Sequence, residues 1–143
     1  MLKPQPLGDG KYAIFNVLKP ETEIPYLDTK DAGKFVGAIL NDPEKFNGKV
    51  LYASNGMYSF DTLVKTITEV SGKPVSYIQI PANTFKEQLP APIAEGITEM
   101  FQFNDKYNAY GPETKEKAEW GKQQVPEKLS TLEEFFQRNP LGL

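Results

Sequence analysis

Residues 24–40, with the sequence IPYLDTKDAGKFVGAIL, carry the side chains of this chain whose types and spacing best suit chemistry. Asp28 and Asp31 lie three residues apart, and two neighbouring carboxyl groups can act as a general acid and a general base. Tyr26 and Lys30 overlap them in the pattern Tyr-x-x-x-Lys, a spacing that brings two side chains together when both lie in one helix. Both pairs are candidates for an active site, and the elements that hold them decide between catalysis and a structural role.

The apolar pattern after Asp28 predicts that a helix begins there. The short strand-like run IPYL (24–27) ends at this aspartate. The spacing of an amphipathic helix then appears in the apolar residues Ala32, Phe35, Val36, Ile39 and Leu40. We interpret Asp28 as the N-cap, whose carboxylate accepts free amide hydrogens of the first turn, and Asp31 as a first-turn residue stabilised by the helix dipole. Capping accounts for both carboxylates.

The Tyr-x-x-x-Lys spacing is the catalytic signature of short-chain dehydrogenases, but here the two residues fall on different elements. Tyr26 lies on the strand side of the cap and Lys30 on its helix side. Seven tyrosines and an abundance of lysine in 143 residues also make a chance match unsurprising. We interpret this pair as a coincidence and assign no catalytic residue in the chain.

The composition removes several classes of reaction. The chain contains no histidine and no cysteine, which excludes His-based general bases, Ser-His and Cys-His nucleophiles, disulfides and His or Cys metal sites. No aspartate-rich loop has the spacing of a calcium or magnesium site, so we predict no metal. The net charge is −3, no basic stripe is present, and Arg138 is the sole arginine. Direct binding of nucleic acid is therefore not expected.

Length and hydropathy predict a single globular domain. The chain has 39% hydrophobic and 12% aromatic residues, so residues 1–143 suit one domain with its own core. No apolar run approaches the roughly 20 residues of a transmembrane helix, and Met1 is not followed by a secretory signal. We therefore expect no membrane segment and an intracellular location, in the cytoplasm or the nucleus.

Apolar runs predict further strands, with helices between them. The strands are KYAIFNVL (11–18), KVLYAS (49–54) and VSYIQI (75–80). A helix begins at Ser59 and is stopped by Gly72, which suits the left-handed position after a helix. The pattern predicts an α/β fold with parallel strands and flanking helices.

The segment after the third of these strands is predicted to be helical. Asn83 can cap a short helix, and Pro92 suits the first turn of a longer one that runs towards Tyr107. The aromatic run MFQFNDKYNAYG (100–111) is consistent with a ring-binding surface or with packing in a core or between domains. We favour packing, because Phe and Tyr dominate buried area.

The final helix is predicted from LSTLEEFFQRN (129–139). Its start contains two overlapping capping boxes, Ser130 with Glu133 and Thr131 with Glu134. The sequence does not choose between them.

The order of these pieces is similar to that in the C-terminal half of NmrA-like proteins, which belong to the atypical short-chain dehydrogenase/reductase superfamily. The pieces are YLDTKDAGKFVGAIL, NGKVLYAS and YSFDTLVKTITEVSGKPVSYIQIP, followed by FKEQLP and LSTLEEFFQRN. The resemblance implies a Rossmann fold that binds NAD or NADP, with a smaller C-terminal substrate region. Some members are redox-sensing transcriptional co-regulators and others are reductases.

The cofactor site of that fold has no counterpart in this sequence. The turn G-x-x-G-x-x-G that holds the pyrophosphate at a helix N-terminus does not occur. GDG at 8–10 precedes a strand instead, and Gly33 and Gly37 lie inside a predicted helix. The chain thus resembles the C-terminal part of a Rossmann-like fold whose N-terminal nucleotide-binding half is missing. We carry over no cofactor-binding residue and expect the chain alone to bind neither NAD nor NADP.

Two functions remain open. In the first, the chain is the substrate- or partner-binding half of an NAD(P)-sensing regulatory protein, acting through protein contacts and a small-molecule ligand. In the second, it is the C-terminal half of an NAD(P)H-dependent reductase of the atypical short-chain dehydrogenase/reductase type. A third interpretation is an inactive fragment. In each case we expect an unpaired strand edge, which favours self-association or a protein partner.

One loop is predicted to face any ligand that this chain contacts. Ligands of open α/β sheets lie beyond the carboxyl ends of parallel strands. After KVLYAS that position is held by Asn55, Gly56, Met57 and Tyr58. The alternative is a plain turn before the helix that Ser59 caps, because Asn-Gly is a common turn pair.

Overall fold

The computed structural model describes residues 3–143 as an α/β arrangement of five strands and seven helices. The strands are β1 (Gln5–Gly8), β2 (Lys11–Asn16), β3 (Ile24–Tyr26), β4 (Gly56–Tyr58) and β5 (Val75–Gln79). The helices are α1 (Ala32–Asn41), α2 (Pro43–Phe46), α3 (Phe60–Ser71), α4 (Ala82–Glu87), α5 (Ala91–Tyr107), α6 (Thr114–Gln123) and α7 (Leu132–Arg138). Across residues 3–143, none of these helices is long and apolar enough to cross a membrane.

The larger sheet has three strands in the order β1-β2-β5. β2 and β5 run parallel, as their apolar patterns predict. β1 is an antiparallel partner of β2, joined to it by a turn in which Asp9 and Gly10 have φ angles of 51° and 71°. Sequence reasoning missed β1, because all four of its residues are exposed and carry no apolar alternation.

Helix α3 lies between the two parallel strands in sequence and packs against them. Ser59 caps its start by accepting the Thr62 amide at 3.2 Å, and Gly72 ends it with a φ of 68°, both as predicted. The core that α3 shares with the sheet, α4, α5 and α7 consists of Ile14, Leu18, Phe60, Leu63, Ile67, Val75, Phe85, Phe101, Leu132 and Phe136. Each such side chain contributes about 1.5–3 kcal/mol when fully buried.

A second, two-stranded sheet pairs β3 with β4 in antiparallel register, with Ile24 opposite Tyr58. The predicted strand in IPYL is therefore confirmed. Its partner β4 was not predicted as a strand, because residues 55–58 had been assigned to a loop. The rings of Tyr26 and Tyr58 lie 6.1 Å apart across this sheet.

The predicted strand at 49–54 is wrong. This segment is outside both sheets, and its backbone packs against helix α6 instead. A Cβ atom built on Gly121 would lie only 2.1 Å from the Tyr52 carbonyl oxygen, so the glycine is what lets the two backbones meet. The apolar run KVLYAS therefore correctly indicates partial burial. A strand does not form, because a strand also needs a neighbouring strand to satisfy its backbone hydrogen bonds.

The three remaining helix predictions have mixed outcomes. Asn83 does not cap α4, because Pro81 holds the N-cap position and Asn83 lies inside the helix. Pro92 occupies the first turn of α5, as predicted. At the start of α7 the capping box is formed by Thr131 and Glu134, with both of its hydrogen bonds present.

The aromatic run on α5 is only partly core. Phe101 is buried and meets the Phe85 ring edge-on at 5.9 Å, as the packing interpretation requires. Phe103 and Tyr107 are 52% and 50% exposed, so these two rings are not part of the core, and packing between domains stays a prediction for them.

Candidate functional site

Asp28 and Asp31 lie at the start of a helix, as predicted. Asp28 precedes a single 3-10 turn, Thr29–Asp31, that leads into α1. Its Oδ1 accepts the Lys30 amide at 3.1 Å, which is the capping bond. Its Oδ2 accepts a hydrogen bond from the Arg138 guanidinium on α7. The cap therefore also holds the last helix.

Asp31 is buried, and both of its carboxylate oxygens have hydrogen-bond or ion-pair partners. Its Oδ1 pairs with the Lys34 ammonium at 2.6 Å, and its Oδ2 accepts from the Asn55 amide at 2.5 Å and from the Ser130 backbone N–H at 2.7 Å. Burial acts to raise the pKa of this carboxyl, but the hydrogen bonds from Lys34, Ser130 and Asn55 outweigh it and hold the pKa well below its ordinary range. Asp31 therefore stays ionised at neutral pH.

Asn55 completes what we call the polar junction, the set Asp28, Asp31, Asn55, Ser130 and Arg138. Besides its bond to Asp31, the Asn55 side-chain N–H group donates to the Ser130 carbonyl at 3.0 Å, and its Oδ1 accepts the Asp28 amide at 3.0 Å. One buried amide thus joins the entry to α1, the start of β4 and the entry to α7. Sequence reasoning assigned Asn55 to a ligand-facing loop and missed this role, because its partners lie 24 and 75 residues away in sequence.

The polar junction is built for structure rather than for proton transfer. An acid–base pair of carboxyls needs one raised pKa and access to a reacting group. Asp31 has a lowered pKa and spends its oxygens on Lys34, Asn55 and Ser130. The interpretation of the two aspartates as structural is supported by this geometry.

Tyr26 and Lys30 are not brought together as a catalytic pair. Tyr26 is in β3, and Lys30 is exposed in the 3-10 turn. Burial raises the pKa of the Tyr26 hydroxyl, the opposite of what a tyrosinate base requires. Tyr26 and Lys30 lie on two different elements, as predicted.

Three of the four residues predicted to face a ligand line cavities, but they do not share one. Asn55 and Tyr58 line a cavity of about 150 Å³ that also contacts the start of α7, and another of about 360 Å³ beside residues 127–131. Met57 lines a different cavity of about 320 Å³ beside α5 and α6. Gly56 lies beneath the Tyr58 ring, where a Cβ would be 2.7 Å from the tyrosine hydroxyl oxygen. The four therefore do not form one surface, and their contact with a ligand stays a prediction.

Helix α1 carries apolar residues on two opposite sides. One side, with Phe35 and Ala38, is buried. The other side we call the bare face, which consists of Gly33, Val36, Gly37 and Leu40. Val36 and Leu40 are 55% and 73% exposed, and Cβ atoms built on the two glycines would meet nothing within 4 Å. Val36 and Leu40 therefore leave apolar area exposed on the side of α1 opposite its buried side.

The segment that follows α1 and α2 shares this property. Val50 is 65% exposed, and residues 49–54 lie outside both sheets of the described chain. A segment outside a sheet is a candidate for pairing with an added strand where its backbone groups are free.

Comparison with known proteins gives one family match and several partial relatives. The NmrA-like family model matches residues 1–136. An NmrA-like family domain-containing oxidoreductase of Aspergillus flavus is 33% identical over 54 residues, which are 38% of this chain and 16% of that protein. A second such oxidoreductase, from a Cladobotryum species, is 31% identical over 58 residues, or 40% and 17% of the two chains.

Solved structures share the fold. NmrA, a negative transcriptional regulator in complex with NAD, matches with a TM-score of 0.71 and 20% identity over 92% of this chain and 44% of that one. A triphenylmethane reductase of a Citrobacter species matches with a TM-score of 0.67 and 19% identity, covering 92% and 45%. A nucleoside-diphosphate-sugar epimerase of Staphylococcus aureus gives 0.67 and 24%, covering 87% and 43%. The chain spans less than half the length of each of these structures.

Proposed function

The chain belongs to the NmrA-like family, and on that premise we propose that it is the portion of an NmrA-like protein that docks onto a nucleotide-binding half and supplies the substrate- or partner-binding side. The observation that carries this proposal is the bare face of α1. The shared fold covers only 43–45% of the solved structures described above, so each of those chains contains further sequence of the size that such a half requires.

The glycines of the bare face support contact with another element. Glycine inside a helix lowers helix stability by about 1 kcal/mol relative to alanine. At Gly33 and Gly37, no close approach by another part of the described chain offsets this loss. Two glycines spaced four residues apart leave a shallow notch in which another backbone can approach closely. Val36 and Leu40 flank the notch and supply apolar area for the same contact.

Residues 49–54 add a second point of attachment. A strand from the nucleotide-binding half would pair with this segment and convert it into the strand that its apolar pattern predicts. The prediction of a strand at 49–54 is wrong for the described chain alone, and it becomes right in the complete fold that we propose.

The nucleotide in this proposal is bound by the other half. NmrA is known in complex with NAD and with NADP, and this chain has no glycine-rich turn at a helix start to hold a pyrophosphate. The chain itself contributes the substrate- or partner-binding side, whose elements the polar junction joins. We assign it no catalytic residue.

A second candidate, the C-terminal half of an NAD(P)H-dependent reductase, rests on a specific observation. Both curated relatives described above are named oxidoreductases. Docking to a nucleotide-binding half is common to the two candidates. They differ in whether the assembled protein turns over a substrate, so a steady-state assay of NADPH oxidation by the assembled protein separates them.

Co-expression tests the docking step. The chain would be produced alone and together with the N-terminal half of the Aspergillus flavus relative, followed by copurification and calorimetric titration with NAD and NADP. We expect no saturable binding to the chain alone and binding by the copurified pair. Leu40→Glu should prevent copurification, while the control Ile93→Glu, which charges an exposed apolar residue on α5, should not. Micromolar binding of either dinucleotide to the chain alone, or copurification of Leu40→Glu at the wild-type level, would refute the proposal.

A further inference from the structure

Helix α5 carries a second exposed apolar stripe, which we call the α5 seam. It consists of Ile93, Gly96, Met100, Phe103 and Tyr107, spaced alternately three and four residues apart. This is the a/d spacing of a coiled coil, which forms a narrow line of contact with one other helix. The four large side chains of the seam are between 43% and 52% exposed.

The seam lies on the side of α5 that faces away from the core. Thr98 and Phe101 are the buried residues of the helix, and they lie roughly opposite the seam at 3.6 residues per turn. The 17-residue helix is about 25 Å long, and the seam extends over about four of its turns. The core therefore accounts for one side of α5 only.

Two charges border the seam on one side. Glu99 and Lys106 are seven residues apart and both exposed. Neither makes an ion pair with any residue between 3 and 143. In heptad terms both occupy g positions, which select the partner and the direction of a coiled coil.

We infer that the α5 seam binds the α5 seam of a second copy of this chain, in an antiparallel, two-fold symmetric pair. In the antiparallel register that aligns a with d positions, Met100 of one copy packs beside Phe103 of the other, and Gly96 lies opposite Tyr107. The glycine leaves room for the tyrosine ring. The two-fold axis repeats each contact.

Charge complementarity selects this direction. In the same register the g positions face each other, so Glu99 of one copy lies opposite Lys106 of the other, twice per dimer. A parallel pair would stack Gly96 on Gly96 and Tyr107 on Tyr107, and would place Glu99 opposite Asn104. Of these two arrangements, only the antiparallel pair places Gly96 opposite Tyr107 and a positive charge opposite a negative one.

The inference is separate from the proposed function, because it uses α5 rather than the bare face of α1. One helix pair buries less area than the roughly 1,200–2,000 Å² of a stable interface, so the dimer is a weak one that forms at high protein concentration.

Charge reversal tests the pairing. Sedimentation equilibrium of the complete chain up to about 200 µM should show a reversible monomer–dimer equilibrium, which suits a weak interface. Glu99→Lys and Lys106→Glu should each weaken association about tenfold or more, because like charges then face each other. An equimolar mixture of the two variants should associate again, since the two positive charges of one copy then face the two negative charges of the other.

Two controls separate this dimer from other contacts. Lys65→Glu changes the net charge as Lys106→Glu does, at an exposed lysine of α3, and should leave association unchanged. Leu40→Glu should also leave it unchanged, which distinguishes the seam from the bare face. A wild-type chain that stays monomeric overturns the inference. It is equally overturned by single reversals that dimerise as wild type, by a mixture that stays monomeric, or by loss of the dimer in Leu40→Glu.

Discussion

Helices α1 and α3 have similar apolar spacing and end in different surroundings. α3 buries Phe60, Leu63 and Ile67 against the sheet and α7, and polar residues cover its outer side. α1 buries Phe35 and Ala38 and leaves Val36 and Leu40 open. An apolar pattern therefore indicates how much of a helix surface is suited to burial. It does not identify the element that buries that surface.

The largest expected effect contrasts one leucine from each helix. Leu63 is fully buried in α3, so Leu63→Ala should lower the free energy of unfolding by about 2–5 kcal/mol through the cavity it leaves. Leu40 is 73% exposed, so Leu40→Ala should change the same quantity by less than about 0.5 kcal/mol in this chain. Urea unfolding followed by circular dichroism measures both. A large loss in Leu40→Ala would mean that the bare face is already covered within the chain.

The next effect contrasts two helical glycines. Gly121→Ala forces a methyl group into the Tyr52 carbonyl, whose oxygen would be 2.1 Å away, and should destabilise the chain by about 1–3 kcal/mol. Gly37→Ala meets nothing within 4 Å and should stabilise it by about 0.5–1 kcal/mol, because alanine favours the helix. Thermal unfolding of the two variants gives opposite shifts in Tm. Shifts in Tm of the same sign and size would show that Gly121 and Gly37 are equally packed, which would contradict the exposed position of Gly37.

The pH dependence of stability tests the polar junction. The folded-state pKa of Asp31 lies below that of the unfolded chain, so its contribution is complete above pH about 4 and is lost as the pH falls. Its share of the loss has a slope of up to about 1.4 kcal/mol per pH unit, because the unfolded chain binds the proton first. Urea unfolding between pH 2 and 7 should show a shallower decline in Asp31→Asn than in wild type, within about this slope. Identical slopes would show that Asp31 does not carry the effect.

The smallest expected effect concerns the cap. Asp28→Ala should cost about 0.5–2 kcal/mol, because it removes the acceptor of the Lys30 amide and the partner of Arg138. Thr29→Ala, at the neighbouring exposed position, serves as the control and should have little effect. Chemical denaturation measures both free energies. A cost near zero for Asp28→Ala would contradict its role as N-cap.

Local signals predicted most of the elements correctly. The cap at Asp28, the Ser59 start and Gly72 end of α3, and the parallel strands at 11–16 and 75–79 all depend on residues within a few positions of one another. Propensity and spacing are informative at that range.

Long-range partners account for what was missed. The segment 49–54 has the composition of a strand, but its neighbour is the backbone at Gly121. The sequence predicts Asn55 in a ligand-facing loop or in a plain Asn-Gly turn, while its side chain donates hydrogen bonds to Asp31 and Ser130. Neither partner is visible in the local pattern, because both are brought together only by the completed fold.

The polar junction also constrains the order in which the chain can fold. Its bonds from Asp31 to Ser130 and from Asp28 to Arg138 close loops of 99 and 110 residues. Contacts that close such long loops form late in folding. The conformational entropy lost on closing the loop is not offset until the contact itself has formed. During synthesis, which proceeds from the N-terminus, α1 therefore leaves the ribosome well before the residues that lock it. The residues that anchor the start of α1 are thus synthesised 99 and 110 positions after their partners.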